Sequence, residues 1–163
     1  MRKQIDRLVR GTLVFLMGFM LFNVVWQVIS RYIIGSPSTF TEELARFLLI
    51  WICLLGGAYA AGKKMHLSIN LLPNRLSKEG KRKLSIFTFS IVILFALLVM
   101  VIGGGRLVQI SYVLGQSSSA LNIPLAYIYI VLPLSGLLII YYKVIEIKQL
   151  FKTDLTPQKT DSQ

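Results

Sequence analysis

The residues best equipped for chemistry stand together in the stretch Thr39-Phe40-Thr41-Glu42-Glu43-Leu44-Ala45-Arg46. Adjacent carboxylates can carry a proton, hold a cation or grip a guanidinium. On a helix, Arg46 lies i+4 from Glu42 and i+3 from Glu43, so either carboxylate can reach it. A proton or ion path would need a further acidic residue deeper in the apolar run that follows, and the run holds none. His66 is the single histidine and stands close to Lys63 and Lys64. A metal centre needs more ligands than that. Cys53 is the single cysteine, which rules out an intrachain disulfide and leaves a small hydrophobe inside an apolar segment. There is no histidine pair for a haem, no Gly-x-Ser-x-Gly, no phosphate-binding loop and no dinucleotide fingerprint. The chemistry on offer is charge pairing and recognition, not catalysis.

The elements that must hold these residues are membrane helices. Of 163 residues, 55% are hydrophobic and 15% charged, and the charges cluster. None falls between Arg10 and Arg31, Arg46 and Lys63, Lys83 and Arg106, or Arg106 and Lys143. A spanning helix takes roughly 20 apolar residues. Three of these gaps reach that length, and the one after Arg46 does not. The net charge is +11, yet its distribution argues against nucleic acid. All basic residues except Arg31, Arg46 and Arg106 flank the start of the first apolar run, the join of the second and third, or the end of the fourth. The positive-inside rule then puts both termini and the middle loop in the cytoplasm, where they meet anionic lipid. The first run is too long for a signal-peptide core and is expected to stay in the membrane.

The expected architecture is an all-α integral membrane protein. A four-helix domain fills residues 1–152, with helices at about 5–34, 40–62, 82–114 and 123–151, and residues 153–163 form a polar tail. Met65, Ile69, Leu72 and Leu76 share one face of an expected amphipathic helix over about 65–76, lying on the inner leaflet. Asn23, Gln27 and Ser30 follow i, i+4, i+7 and make a polar stripe that should bond across to another helix, in this chain or a partner. Gly56-x-x-x-Ala60, Gly57-x-x-x-Ala61 and Ala58-x-x-x-Gly62 offer close helix approach, and Trp51 packs nearby. Thr39-x-x-Glu42 fits a capping box, and Asn122 can cap the last helix with Pro124 in its first turn. Pro133 should kink that helix, and Gly103-Gly104-Gly105 should break or distort the third. Tyr127 and Tyr129 suit one aromatic belt, Tyr141 and Tyr142 the other. The Glu42, Glu43 and Arg46 cluster reads either as a local cap and ion pair or as a docking surface. The short uncharged stretch after Arg46, ~24 Å of helix, keeps the guanidinium at the outer boundary in both cases.

The order Arg31, outer turn, Glu42-Glu43-x-x-Arg46, Trp51, Gly56-Gly57-x-x-x-Ala61, then Lys63-x-x-His66-x-x-x-Asn70 resembles the small membrane subunit, the Q or DctQ-like component, of the tripartite ATP-independent periplasmic (TRAP) transporters. The similarity runs from about Leu8 to Leu150. It implies a subunit of the bacterial inner membrane with no cofactor and no substrate site of its own. A large M subunit would hold substrate and sodium and move as an elevator. A periplasmic P protein would deliver an organic acid such as sialic acid or a C4-dicarboxylate. The small subunit would scaffold M and help P dock. Arg31, Asn23, Gln27, Glu42, Glu43, Arg46, Trp51, Gly56, Gly57 and Ala61 are then candidate interface residues, and His66 and Asn70 an interfacial cytoplasmic motif. Two other classes fit less well. A small multidrug-type carrier needs a carboxylate buried in its first helix, and a stand-alone structural or signalling four-helix protein does not explain the motif order.

The topology can be read directly. In a Cys53→Ser background, Ser38→Cys should react with an impermeant thiol reagent added outside sealed cells, and Lys78→Cys should not. Outside labelling at position 78 would overturn the arrangement.

Overall fold

The computed structural model describes residues 2–35, 38–63 and 78–153. The expected interfacial helix, with His66 and Asn70, and the tail beyond Thr153 lie outside the described residues. Helix α1 covers Arg2–Ile29 and continues through a π-helical turn, Ser30–Ile34. Helix α2 covers Thr39–Gly62. Helix α3 covers Lys78–Phe95, a π-helical stretch follows over Ala96–Gly103, and α4 covers Gly104–Val113. Helix α5 is short, Leu125–Tyr129, and α6 covers Val131–Thr153. Among the described residues, four stretches are long and apolar enough to cross a membrane: Arg2–Ile33, Thr39–Gly62, Lys83–Val113 and Leu125–Gln149. They are called spans one to four below. The chain is thus an all-α, multi-pass membrane protein.

The spans form a row. Span one packs chiefly on span two, span two on span four, and span four on span three. Burial follows that order. A third of the apolar window of span four is buried inside the chain, 33%, against 6% for span one. Side chains such as Phe15, Leu21, Phe22 and Trp26 of span one, and Phe87, Leu94 and Ile102 of span three, point outward. A soluble protein could not leave so much apolar surface open, whereas lipid or an apolar partner accepts it.

Small residues mark the crossings. Ala58, Ala96 and Ser135 are fully buried. A Cβ at Gly104 would come within 3.0 Å of Leu132 and 3.2 Å of Pro133, and one at Gly136 within 2.8 Å of Met100. Spans three and four therefore approach closely along the stretch where span three is π-helical. The glycine run does not break that span; it continues, distorted, into α4. Span four is interrupted ahead of its proline. Pro133 cannot donate to the Tyr129 carbonyl, α5 stops at Tyr129, and Ile130 lies between it and α6.

Close approach on span two is concentrated at its end. A Cβ at Gly62 would lie 2.6 Å from the Tyr142 ring. Gly56 meets only Leu13, at an ordinary 3.9 Å, and Gly57 faces open space. Ala61 is half-buried. Among the described residues, a Cβ added at Gly57 therefore meets no other helix.

These two glycines should respond oppositely. Gly62→Ala should lower the stability of the detergent-solubilised chain by ~1–3 kcal/mol, the usual cost of overpacking, because the Tyr142 ring cannot move without breaking its own hydrogen bond. Gly57→Leu should leave the thermal midpoint of the isolated chain unchanged or raise it. Equal loss from both would contradict this packing.

Candidate functional site

Polar side chains collect at the two ends of the row. One end carries the turn at Gly35 and the loop Gly115–Pro124. The other carries the start of α1, the end of α2 and the end of α6.

At the loop end, α2 begins differently from expectation. The capping residue is Ser38, not Thr39. Its backbone is extended and its Oγ accepts from the Thr41 N–H at 3.4 Å. The Thr41 hydroxyl donates back to the Ser38 carbonyl at 2.9 Å. A serine three residues before a hydroxyl residue satisfies the first turn without the carboxylate of a capping box. Glu42 and Glu43 are thereby released for other partners, and they separate. Arg46 donates to Glu42 Oε1, and both side chains are largely exposed, 70% and 55%. Glu43 turns the other way. Its Oε2 accepts the backbone N–H of Ala120 at 2.8 Å and of Leu121 at 3.1 Å, across 77 residues of chain.

That loop is a built structure. Ser118 N–H donates to Ile123 O at 2.9 Å, and Leu125 N–H to Gln116 O at 2.9 Å, with Ser117 and Pro124 paired antiparallel. Gly115 and Asn122 take left-handed backbone, φ 60° and 52°, where the chain must reverse. Asn122 therefore turns the loop instead of capping the last helix, and Pro124 occupies the cap position. Two successive N–H groups at Ala120 and Leu121 make an anion nest, and the chain's own carboxylate fills it.

Span one is tied to the same end. Asn23 is buried, and its Nδ2 donates to the Thr41 carbonyl at 2.8 Å. Ser30 is buried and Gln27 half-buried on the same stripe. The polar stripe thus turns toward span two of this chain. Arg31 is exposed within the π-helical turn, just before Gly35 at φ 72°. Trp51 is half-buried further along α2.

The other end holds a network that the sequence reading missed. Lys143 and Glu146 are 1% and 4% exposed and pair at 2.9 Å. The Lys143 Nζ also donates to the Ala61 carbonyl at 2.9 Å and stands 4.8 Å from the centre of the Phe89 ring. Arg2 donates to the Gly62 carbonyl at 2.7 Å, and the Tyr142 hydroxyl to Asp6 at 2.8 Å. The last carbonyls of α2 have no partner within their own helix, and the negative end of the helix dipole lies there. Cations from spans one and four satisfy both needs. The positive-inside pattern places Lys143 in the basic cytoplasmic flank, whereas the structure buries it. The signal in the sequence was Lys143-x-x-Glu146 directly after an apolar run, an i, i+3 pair suited to burial. Tyr142 likewise leaves the aromatic belt for the interior. Glu146 Oε1 is buried with no hydrogen-bond partner among the described residues.

Comparison with known proteins agrees with this architecture. Residues 20–153 match the family model described as tripartite ATP-independent periplasmic transporters, DctQ component. The chain is 27% identical over 157 residues to the sialic acid TRAP transporter small permease protein SiaQ of Vibrio cholerae, covering 93% of this chain and 86% of that one. It is 33% identical over 139 residues to the ectoine TRAP transporter small permease protein TeaB of Halomonas elongata, covering 82% and 69%. A shorter match, 30% over 76 residues, covers 44% of this chain and 12% of the sialic acid TRAP transporter permease protein SiaT of Haemophilus influenzae. The chain belongs to the DctQ family of TRAP transporter small permease subunits, which is not an enzyme class.

The buried pair gives a direct test. Lys143→Met alone should destabilise the chain by about 3–5 kcal/mol, because Glu146 is left charged and unpaired in the interior. Adding Glu146→Leu should recover part of that loss, with the remainder reporting the Ala61 carbonyl left without its cation. Unfolding midpoints of the two variants and the parent measure both terms. A double variant no better than the single would show that the pair is not coupled.

Proposed function

We propose that this DctQ-family chain is the non-catalytic small subunit of a sodium-driven secondary transporter that imports an organic acid across a bacterial inner membrane. It associates with a large permease subunit, supports it as a fixed scaffold, and helps a periplasmic substrate-binding protein to dock. The observation that carries the reading is the open row of helices. Two broad apolar faces suit a body that lies against something larger. The match of 76 residues to part of SiaT supports such a partner, since a similar stretch there belongs to a longer permease chain.

The basic flanks of spans one, two and four favour the cytoplasm for the end with Arg2, Gly62 and Lys143. The loop end then faces the periplasm, where a delivery protein arrives. Its exposed groups include Arg31, Glu42 and Arg46, a mixed-charge surface suited to steering and register. Sialic acid and ectoine, named for two relatives, both carry a carboxylate, which fits an organic-acid class. Selection among such acids belongs to the larger subunit and the delivery protein.

Affinity purification of this chain from detergent extracts of its native cells should bring down one large many-helix membrane protein in constant ratio. Recovery of the chain alone from every mild detergent would favour a stand-alone membrane protein. Arg46→Ala should then separate docking from stability. An exposed ion pair contributes only ~0–1 kcal/mol to folding, so thermal stability should hardly change. If Arg46 is desolvated against the binding protein, its loss costs ~2–5 kcal/mol of that contact, and uptake at limiting binding protein should fall. Unaltered uptake at every concentration would leave Arg46 as a helix-end charge only.

A further inference from the structure

We propose that Glu43 is a positioning residue that holds the loop Gly115–Pro124 in the shape the periplasmic binding protein meets. The proposal rests on the docking role given above. Three observations lead to it. First, the two adjacent carboxylates differ in partner. Glu42 is engaged by Arg46 on the same helix, while Glu43 reaches across to the backbone of a loop 77 residues away. Second, the loop turns its polar edge outward. Gln116, Ser117, Ser119 and Asn122 are exposed, whereas Ser118, which donates and accepts within the loop, is buried. Third, α2 is itself fixed at this end. Ser38 caps it, and Asn23 of span one holds the Thr41 carbonyl. Glu43 thus transmits the position of spans one and two to the loop that joins spans three and four.

A carboxylate is suited to this task because it accepts only, and one oxygen can take two converging N–H groups. The Ala120 N–H has Glu43 as its acceptor, so without it the tip of the loop turns to water. A loop ordered before contact does not lose that freedom on binding, which improves affinity without adding any contact. Glu43 need not touch the partner at all. Its expected signature is a change in the binding-protein concentration needed for transport, with the maximal rate kept.

The test uses the complete transporter in vesicles, with uptake followed against binding-protein concentration. Glu43→Ala should raise the half-saturating concentration roughly three- to tenfold, the scale of one or two lost hydrogen bonds, with maximal uptake unchanged. Glu43→Gln keeps an acceptor oxygen in the same place and should restore most of the effect. In parallel, amide hydrogen exchange at Ala120 and Leu121 should quicken in Glu43→Ala and not in Glu43→Gln, with no binding protein present. Unchanged exchange in Glu43→Ala would overturn the clamp itself. Faster exchange with an unchanged half-saturating concentration would overturn its role in docking. If Glu43→Gln proves as damaging as Glu43→Ala while its loop stays protected, the carboxylate contacts the partner directly and the positioning role fails. Bulky substitutions on the outward edge, Gln116→Trp and Ser119→Trp, keep the two readings apart. If they leave the half-saturating concentration unmoved, the docking role of this end fails, whatever Glu43 does.

Discussion

The end of α2 is the point on which the fold depends. A helix that stops at a membrane boundary leaves carbonyls with no intrahelical partner, and in a low-dielectric setting each open one is costly. Here the Ala61 and Gly62 carbonyls are taken by Lys143 and Arg2, from spans four and one. One capping requirement therefore ties three of the four spans together. Gly62 lets the Tyr142 ring lie directly against the backbone, and the Tyr142 hydroxyl in turn holds Asp6 of span one. Glu146 balances the charge that Lys143 brings inside. Each of these groups would be a liability alone. Within this cluster one carboxylate oxygen, Glu146 Oε1, is left without a partner among the described residues; the buried Ser111 Oγ of α4 is another such atom, outside the cluster.

That latch also explains how a row can be stable without closing into a bundle. Apolar contact between helices gives little net drive in lipid, because lipid tails are as apolar as leucine. Small residues and interhelical hydrogen bonds do the joining instead. They occur where the spans actually meet: Asn23 to Thr41 between spans one and two, Lys143 to Ala61 between two and four, and Gly104 against Pro133 between three and four. The outer faces of spans one and three carry many large exposed apolar side chains and remain open to lipid or a partner.

The four spans and the polar stripe were legible in the sequence because they rest on length, charge gaps and i, i+4 spacing. The helix starts were less so. Thr39 and Ser38 are both capping types, and only backbone geometry decides between them. Asn122 was similarly ambiguous, since asparagine serves caps and left-handed turns alike. The small-xxx-small repeat pointed to close packing but named three registers, of which the crossing with span four uses Gly62. Lys143 and Glu146 were hidden by the positive-inside pattern itself. A lysine after an apolar run reads as a flank, and its burial follows only from where α2 happens to end. The partners of Glu43 lie 77 residues away, beyond any local spacing rule.

The two ends of the row handle charge in opposite ways, and the contrast bears on function. At the terminal end, Lys143 and Glu146 are almost wholly buried and are coupled to the helix end, so their energy is committed to the fold. At the loop end, the Glu42–Arg46 pair stays exposed and Arg31 projects from a π-helical turn, so these charges contribute little to stability. Glu43 stands between the two regimes. It is a carboxylate spent inside the chain, but on a loop whose outer edge is free. A rigid frame below and available charge above is the arrangement expected of a scaffold that presents a surface. Mobile carriers place their polar groups at a midplane site instead. The position of the charges, more than their number, is thus what supports the presenting role proposed for this subunit.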